Sequence, residues 1–334
     1  MAGELDQAVT RHGRVMFFRN DSGAVSRSLR EYGEWAENEL SFMRRFVSPG
    51  GTIVDVGAYI GTHTLVFANY VGATGEVIAI EAQPASYKVL SANIAANNLR
   101  KVTAYHAIAS NEIGDFAIPV LNLERIASFG SASLHATLLH EGNEIVSRPE
   151  TSSQVVVRSL TLDSLDLPRC DLVKIDVEGV EDLVIEGGFK TIRRYTPVIY
   201  CECNSVEDGL RSVAVLRSVG YSVYAHIVEA FNKENFRGNK DNIFGSACEV
   251  ALIGVSPGQE GLLHSIPPRD IELVLQISTA DDLVLALLNK PQYPEEILRP
   301  SAAARSGGHV YLDRVVRQRL ELDAYYADRE KLKR

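Results

Sequence analysis

The sequence predicts an α/β fold: a doubly wound, mostly parallel sheet with a helical lead-in before it and an extension after it. Short β-branched runs recur at IVDV (53–56), EVIAIE (76–81), KVTAYHAIA (101–109), DLVKID (171–176) and PVIYCE (197–202). Helical stretches stand between them at Thr62–Tyr70, Ala85–Asn97, Glu181–Phe189 and Val206–Ser218. Strands that alternate with helices pair in parallel, because each crossover returns the chain to the same end of the sheet. A composition of 46% hydrophobic and 23% charged residues over 334 positions is that of a globular chain with a sizeable core.

Residues 1–50 form the lead-in. Within it Trp35, Leu40, Met43 and Phe46 fall near helical spacing, so Tyr32–Phe46 reads as one amphipathic helix ended by Ser48-Pro49-Gly50-Gly51. Residues 51–255 hold the sheet, and the helix at Val206–Ser218 is closed by Gly220. Tyr221–His226 and Glu249–Val255 lack a helix between them and are expected to pair as a hairpin at one edge. A polar insertion at 121–154 is a candidate substrate loop. From 256 to 334 prolines break the rhythm and a charged helix follows from about Val310, with Leu312, Val315, Val316, Leu320 and Tyr326 near one face. This tail is expected to pack on a neighbouring surface or on a second subunit, which makes an oligomer the corresponding expectation.

Several function classes drop out. The longest apolar stretches, Val77–Ile80 and Leu283–Leu288, fall far short of the ~20 residues that cross a bilayer, and no targeting pattern opens the chain, so no membrane span and a cytoplasmic location are expected. The four cysteines at 170, 201, 203 and 248 form no CxxC pair, and Cys201 and Cys203 are expected to pack in the core. A net charge of −9 disfavours nucleic acid as a partner.

The first strand runs into Asp55-Val-Gly57-Ala58-Tyr59-Ile-Gly61, a strand, a glycine turn and a helix start. Gly57 is expected to let the backbone approach a ligand, and Gly61 to let the new helix pack close. The spacing G-x-x-x-G differs from the dinucleotide fingerprint G-x-G-x-x-G, which disfavours pyrophosphate. Glu81 ends the next strand twenty residues after Gly61, where an acid meets a ribose diol. The other strand ends carry Asp55, Asp176 with Glu178, and Glu202. An acidic mouth repels phosphate and suits a nucleoside bearing a sulfonium and an ammonium, such as S-adenosylmethionine, or a divalent cation.

These residues resemble the FkbM-type S-adenosylmethionine-dependent methyltransferases, a class I family with a Rossmann-like fold. The resemblance runs from YGEW (32–35) through TIVDVGAYIGTHTLVFA (52–68), VIAIEAQPASYKVLSANIAANNL (78–99), LTLDSL (160–165) and DLVKIDVEGVEDLVIEGG (171–188) to PVIYCECN (197–204). It implies a cofactor site built by Asp55, Gly57, Ala58, Tyr59, Gly61 and Glu81, with Glu34 or Glu39 nearby and Asp176 facing donor and acceptor. It also implies methylation of a hydroxyl on a sugar, glycolipid or secondary metabolite. The Asn/Asp-Pro-Pro-aromatic signature of nucleobase amino-methyltransferases is absent, since Asp176 leads into Val-Glu-Gly.

Transfer to an alcohol gains from in-line positioning and from a base. Asp176 is the first candidate base, then Glu202 and His63. Asp176 can equally serve as an anchor for the cofactor amine, His63 as a packing or capping residue, and Glu181 as a helix N-terminal acid. Mg²⁺ is the less favoured alternative and no metal ligand set is assigned, because no acidic trio is close in sequence. The rival readings are a nicotinamide oxidoreductase and a non-catalytic nucleoside-binding scaffold.

Overall fold

The computed structural model describes residues 5–124, 126, 128–130, 154–264 and 269–290. The proposed helical tail and most of the 121–154 insertion lie outside them.

The central sheet has eight strands. In chain order they are β3 (Thr52–Val56), β4 (Glu76–Glu81), β5 (Val102–His106), β9 (Leu172–Ile175), β10 (Val198–Glu202), β11 (Ser222–Glu229), β12 (Cys248–Val255) and β13 (Glu272–Gln276). Their spatial order is β13-β11-β12-β10-β9-β3-β4-β5. The five strands from β10 to β5 are parallel, while β12 runs antiparallel to both β10 and β11, and β13 antiparallel to β11. Helices α3 (Thr62–Val71), α4 (Pro84–Ala96), α5 (Glu181–Glu186), α6 (Phe189–Tyr195) and α7 (Val206–Ser218) connect them. Every residue of β3 and of β9 is buried, as expected for strands covered on both faces. Cys201 and Cys203 lie in the larger core cluster.

The lead-in differs from the expected single helix. Its first strands, β1 (Leu5–Thr10) and β2 (Gly13–Phe18), pair as an antiparallel hairpin. Ala8, Val15, Phe17 and Phe18 are buried against Leu65 and Val89. The open edge of β2 is satisfied by side chains of α4. Asn93 Oδ1 accepts from Met16 N at 2.7 Å and Asn97 Oδ1 from Arg14 N at 2.9 Å, while their amide groups donate to the Met16 and Arg14 carbonyls. Then α1 (Ala24–Glu31) and α2 (Glu37–Met43) flank a break where Gly33 and Ala36 take left-handed backbone, φ +67° and +51°. No helix continues through such residues.

The late strands also sit differently. β12 inserts between β10 and β11, so the predicted pair is internal and β13 forms the edge. The extension is therefore only partly an appendage. Ile277 and α9 (Ala280–Leu287) bury Leu283, Ala286 and Leu287 in the main core. Among the described residues no helix is long and apolar enough to cross a membrane. A small sheet of β6 (Ile108–Ala109), β8 (Gln154–Leu160) and β7 (Asp115–Pro119) flanks the carboxyl ends of the main sheet.

Candidate active site

Strand order reverses between β3 and β9, and crevices at such switch points, outside the carboxyl ends, are where open α/β sheets bind ligands. A cavity of about 210 Å³ opens there. Gly57, Ala58, Tyr59, His63, Glu81, Asp176 and Glu202 line it, as do Trp35, Glu39, Lys174, Tyr200 and Glu249. Seven of its lining side chains carry carboxyl groups and one is a lysine.

The glycine turn shapes one end. Gly57 has φ +76°, and a Cβ there would stand 1.8 Å from the Asp176 carbonyl oxygen. Gly57 lines the cavity, and glycine is required there also because the ends of β3 and β9 touch. A Cβ at Gly61, φ +90°, would stand 2.7 Å from Leu90 of α4, so this residue acts in packing and does not line the cavity. Tyr59 takes left-handed backbone at φ +49° and donates its N–H to Glu81 Oε2 at 2.8 Å. Its hydroxyl donates to Asp21 Oδ2 at 2.9 Å, tying the turn to the segment after the hairpin. Glu81 Oε1 accepts from Gln83 N at 2.8 Å. Burial pushes the Glu81 carboxyl up to about 7, against the lowering effect of those two N–H groups.

Two expected cofactor ligands lie elsewhere. Asp55 is fully buried behind the wall, where Oδ2 accepts from Thr64 Oγ1 at 2.6 Å and Oδ1 lies 3.6 Å from Lys174 Nζ. Glu34 is a tie between segments. It accepts from Arg11 at 3.0 Å, Asn232 Nδ2 at 2.6 Å and Phe236 N at 2.8 Å, which leaves its neighbour Glu39 to line the cavity. Glu181 accepts from Gly179 N at 3.0 Å and so closes the turn before its own helix. His226 is buried, stacked on Phe42 with ring centroids 3.7 Å apart.

The other end is an acid cluster. Oxygens of Asp176, Glu178 and Glu202 lie within 4.8 Å of one another, brought together by the β9 turn and the end of β10 although 26 residues separate the first from the last. This is the acidic trio that spacing did not reveal. Lys174 Nζ lies 3.1 Å from Asp176 Oδ2 and 3.4 Å from the Gly57 carbonyl oxygen. Burial raises the Asp176 carboxyl, but the Lys174 charge, hydrogen bonds with Glu202 and Lys174, and the His63 charge together hold it below its ordinary value. Glu202 moves the opposite way, pushed well above by burial and by the Asp176 charge. Glu178 is pushed up to about 8 for the same two reasons. His63 Nε2 is 3.8 Å from Glu39 Oε2. Burial raises Glu39, yet the His63 contact leaves it lowered overall.

Sequence reasoning passed over Lys174, Glu249 and Tyr200. Lys174 sits inside the LVKID run, where a lysine in an otherwise apolar buried strand was itself the available signal.

The fold and this cavity define a class: an α/β protein with an acid-lined crevice at the switch point of its sheet. The family model for the methyltransferase FkbM domain matches residues 55–237, more than half of the chain, and the chain belongs to that family of S-adenosylmethionine-dependent methyltransferases. Among solved structures it is similar to the methyltransferase FkbM of Methylobacillus flagellatus, at 12% identity over 61% of this chain with a TM-score of 0.38. The match spans 43% of that longer chain. It is also similar to an S-adenosylmethionine-dependent O-methyltransferase of Thermotoga maritima, at 11% identity over 75% of this chain and 77% of the other, TM-score 0.39. A third is an O-methyltransferase of Bacillus cereus in complex with S-adenosylhomocysteine, at 12% identity over 66% and 81% of the two chains, TM-score 0.37.

Proposed function

We propose that the protein is an O-methyltransferase that binds S-adenosylmethionine in this cavity and methylates a hydroxyl of a sugar, glycolipid or secondary metabolite. The observation that carries the reading is the cavity's polarity along its length. At the Glu81 end, Gln83 Oε1 and Ser86 Oγ are buried lining atoms without a hydrogen-bond partner, the kind a nucleoside's polar edges would satisfy. The Glu81 carboxylate, held by two backbone N–H groups, keeps lone pairs for ribose hydroxyls. Toward Asp176 the lining becomes acidic, which suits an ammonium and a sulfonium. The residues present therefore fit the cofactor.

S-adenosylmethionine, when bound, supplies a methyl group on a positively charged sulfur. The chain's own residues hold the rest. Lys174 keeps Asp176 ionised, so that Asp176 can fix a cationic or hydroxyl partner at the end of β9. Glu202, with its raised proton affinity, is the oxygen suited to take the acceptor's proton, and two adjacent carboxyls pushed apart in this way divide anchor from base. His63, Glu39 and Trp35 line the same cavity, with His63 Nε2 3.8 Å from Glu39 Oε2.

The test has two parts. Trp35 is the sole tryptophan and lines the cavity, so its fluorescence reports a titration with S-adenosylmethionine and, for contrast, with NAD. Saturable binding of the first alone is expected, and binding of NAD alone would return the oxidoreductase reading. The acceptor is then sought as methyl groups lost from the glycans, lipids and metabolites of a strain lacking the protein. Cofactor binding with no methylated product in any fraction would leave a scaffold.

A further inference from the structure

Lys290 lies in the extension, well beyond residue 237 where the family match ends. Its side chain is fully buried. A buried ammonium is tolerated only where oxygens replace its lost water. Here Nζ lies 3.1 Å from Glu249 Oε2 and 3.5 Å from Glu202 Oε1, and it donates to Asn204 Oδ1. Those three partners come from β12, the end of β10 and the residue just after Cys203, so the ammonium clips two strands together from behind. Its own backbone is fixed as well: Lys290 N donates to Leu287 O at 2.8 Å at the end of α9, whose Leu283 and Leu287 are core residues. Glu202 and Glu249 line the cavity and Lys290 does not, so it acts through them.

We propose that Lys290 is a positioning residue for methyl transfer, its ammonium holding the Glu202 and Glu249 carboxylates at the acceptor end so that Glu202 can serve as proton acceptor. This rests on the reading of the cavity given above. The charged groups facing Glu202 are Asp176 and Glu178 from the turn after β9, which raise its proton affinity, and Lys290, which lowers it. Glu249 on β12 is likewise raised by burial and lowered by Lys290. Lys174 is committed to Asp176 and Asp55, at 3.1 and 3.6 Å. Without Lys290 the carboxylates of Glu202 and Glu249 would face one another and Asp176 with no cation behind them, and the proton affinity of Glu202 would rise further.

The experiment uses the full-length chain with ¹³C-labelled glutamate carboxyls, the Glu202 signal being assigned by its loss in Glu202→Gln. In Lys290→Met that signal should titrate higher by about one pH unit or more, the size expected when a buried carboxylate loses an adjacent cation. Lys290→Arg should bring it back. An unmoved signal in a Lys290→Met protein that keeps its circular dichroism, or no recovery with arginine, overturns the proposal. Should Lys290→Met fail to fold, ¹⁵Nζ-lysine spectra of the unmutated protein supply the second reading. Two ammonium groups with slowly exchanging protons are expected, Lys174 and Lys290, and Glu202→Gln should shift the Lys290 one. Absence of that resonance, or its indifference to Glu202→Gln, also overturns the proposal. Absence of S-adenosylmethionine binding by the unmutated protein, read by Trp35 fluorescence on the same samples, would instead sink the methyl-transfer reading.

Discussion

At the scale of single residues, the acid-lined cavity works because each carboxylate has a different neighbour. Glu81 is pushed up to about 7 by burial, against two backbone N–H groups and the more distant Lys174 charge. Its carboxylate form is the one that accepts two ribose hydroxyls, so affinity for S-adenosylmethionine should strengthen as pH rises through about 7, which calorimetry at pH 6 and 8 checks. The same raised value means that the folded state binds the extra proton between its ordinary and its raised value. Glu81's contribution to stability is therefore present at acid pH and lost as pH rises through about 7. Glu81→Ala should weaken cofactor binding by ~1.5–3 kcal/mol, the worth of a hydrogen bond to a charged group. Asp176 is held below its ordinary value by Lys174, Glu202 and His63 together, against burial. Asp176→Asn is expected to cut turnover far more than cofactor affinity, and equal losses in the two measurements would reduce it to an anchor.

At the scale of elements, the contacts between strand ends decide where the site forms. Gly57 lets the β3 end lie against the Asp176 carbonyl, so Gly57→Ala should act on folding before it acts on binding. A Cβ inside a backbone contact, on a left-handed residue, is expected to cost about 2–5 kcal/mol, seen as a lower urea midpoint. An unchanged midpoint with lost cofactor affinity would leave only the role in ligand approach. The hairpin is the second case. Its β2 edge is paired by Asn93 and Asn97 of α4, and Asn93 also donates to the Ile60 carbonyl inside the glycine turn at 2.8 Å. Asn93→Leu leaves two β2 backbone groups and one turn carbonyl without that partner, for a predicted loss of about 2–4 kcal/mol in denaturant unfolding.

At the scale of the whole molecule, β13 and α9 of the extension pack into the body of the protein. Truncation after Arg305 should leave S-adenosylmethionine affinity within ~0.5 kcal/mol, as for changes remote from a site, whereas truncation after Ile271 removes β13, α9 and Lys290 and should yield an unstable protein. Calorimetric affinity and the thermal midpoint of each species separate the two outcomes. The sequence by itself determined the parallel sheet, the glycine turn and the family, because each is local: a run of β-branched residues, a spacing of a few positions or a motif such as LVKIDVEGVE carries it. It did not disclose the β1–β2 hairpin, whose edge is paired by side chains some 80 positions away, nor β13, which a Pro-punctuated stretch disguised. Only the tertiary structure decided which carboxylates share a site. Asp55 and Glu34 read as cofactor ligands, yet buried partners draw one behind the wall and the other into a tie between segments. Asp176, Glu178, Glu202, Glu249 and Lys290 come together only because β9, β10, β12 and the end of α9 converge, and charge–charge energies depend on distance and burial, which sequence separation does not encode.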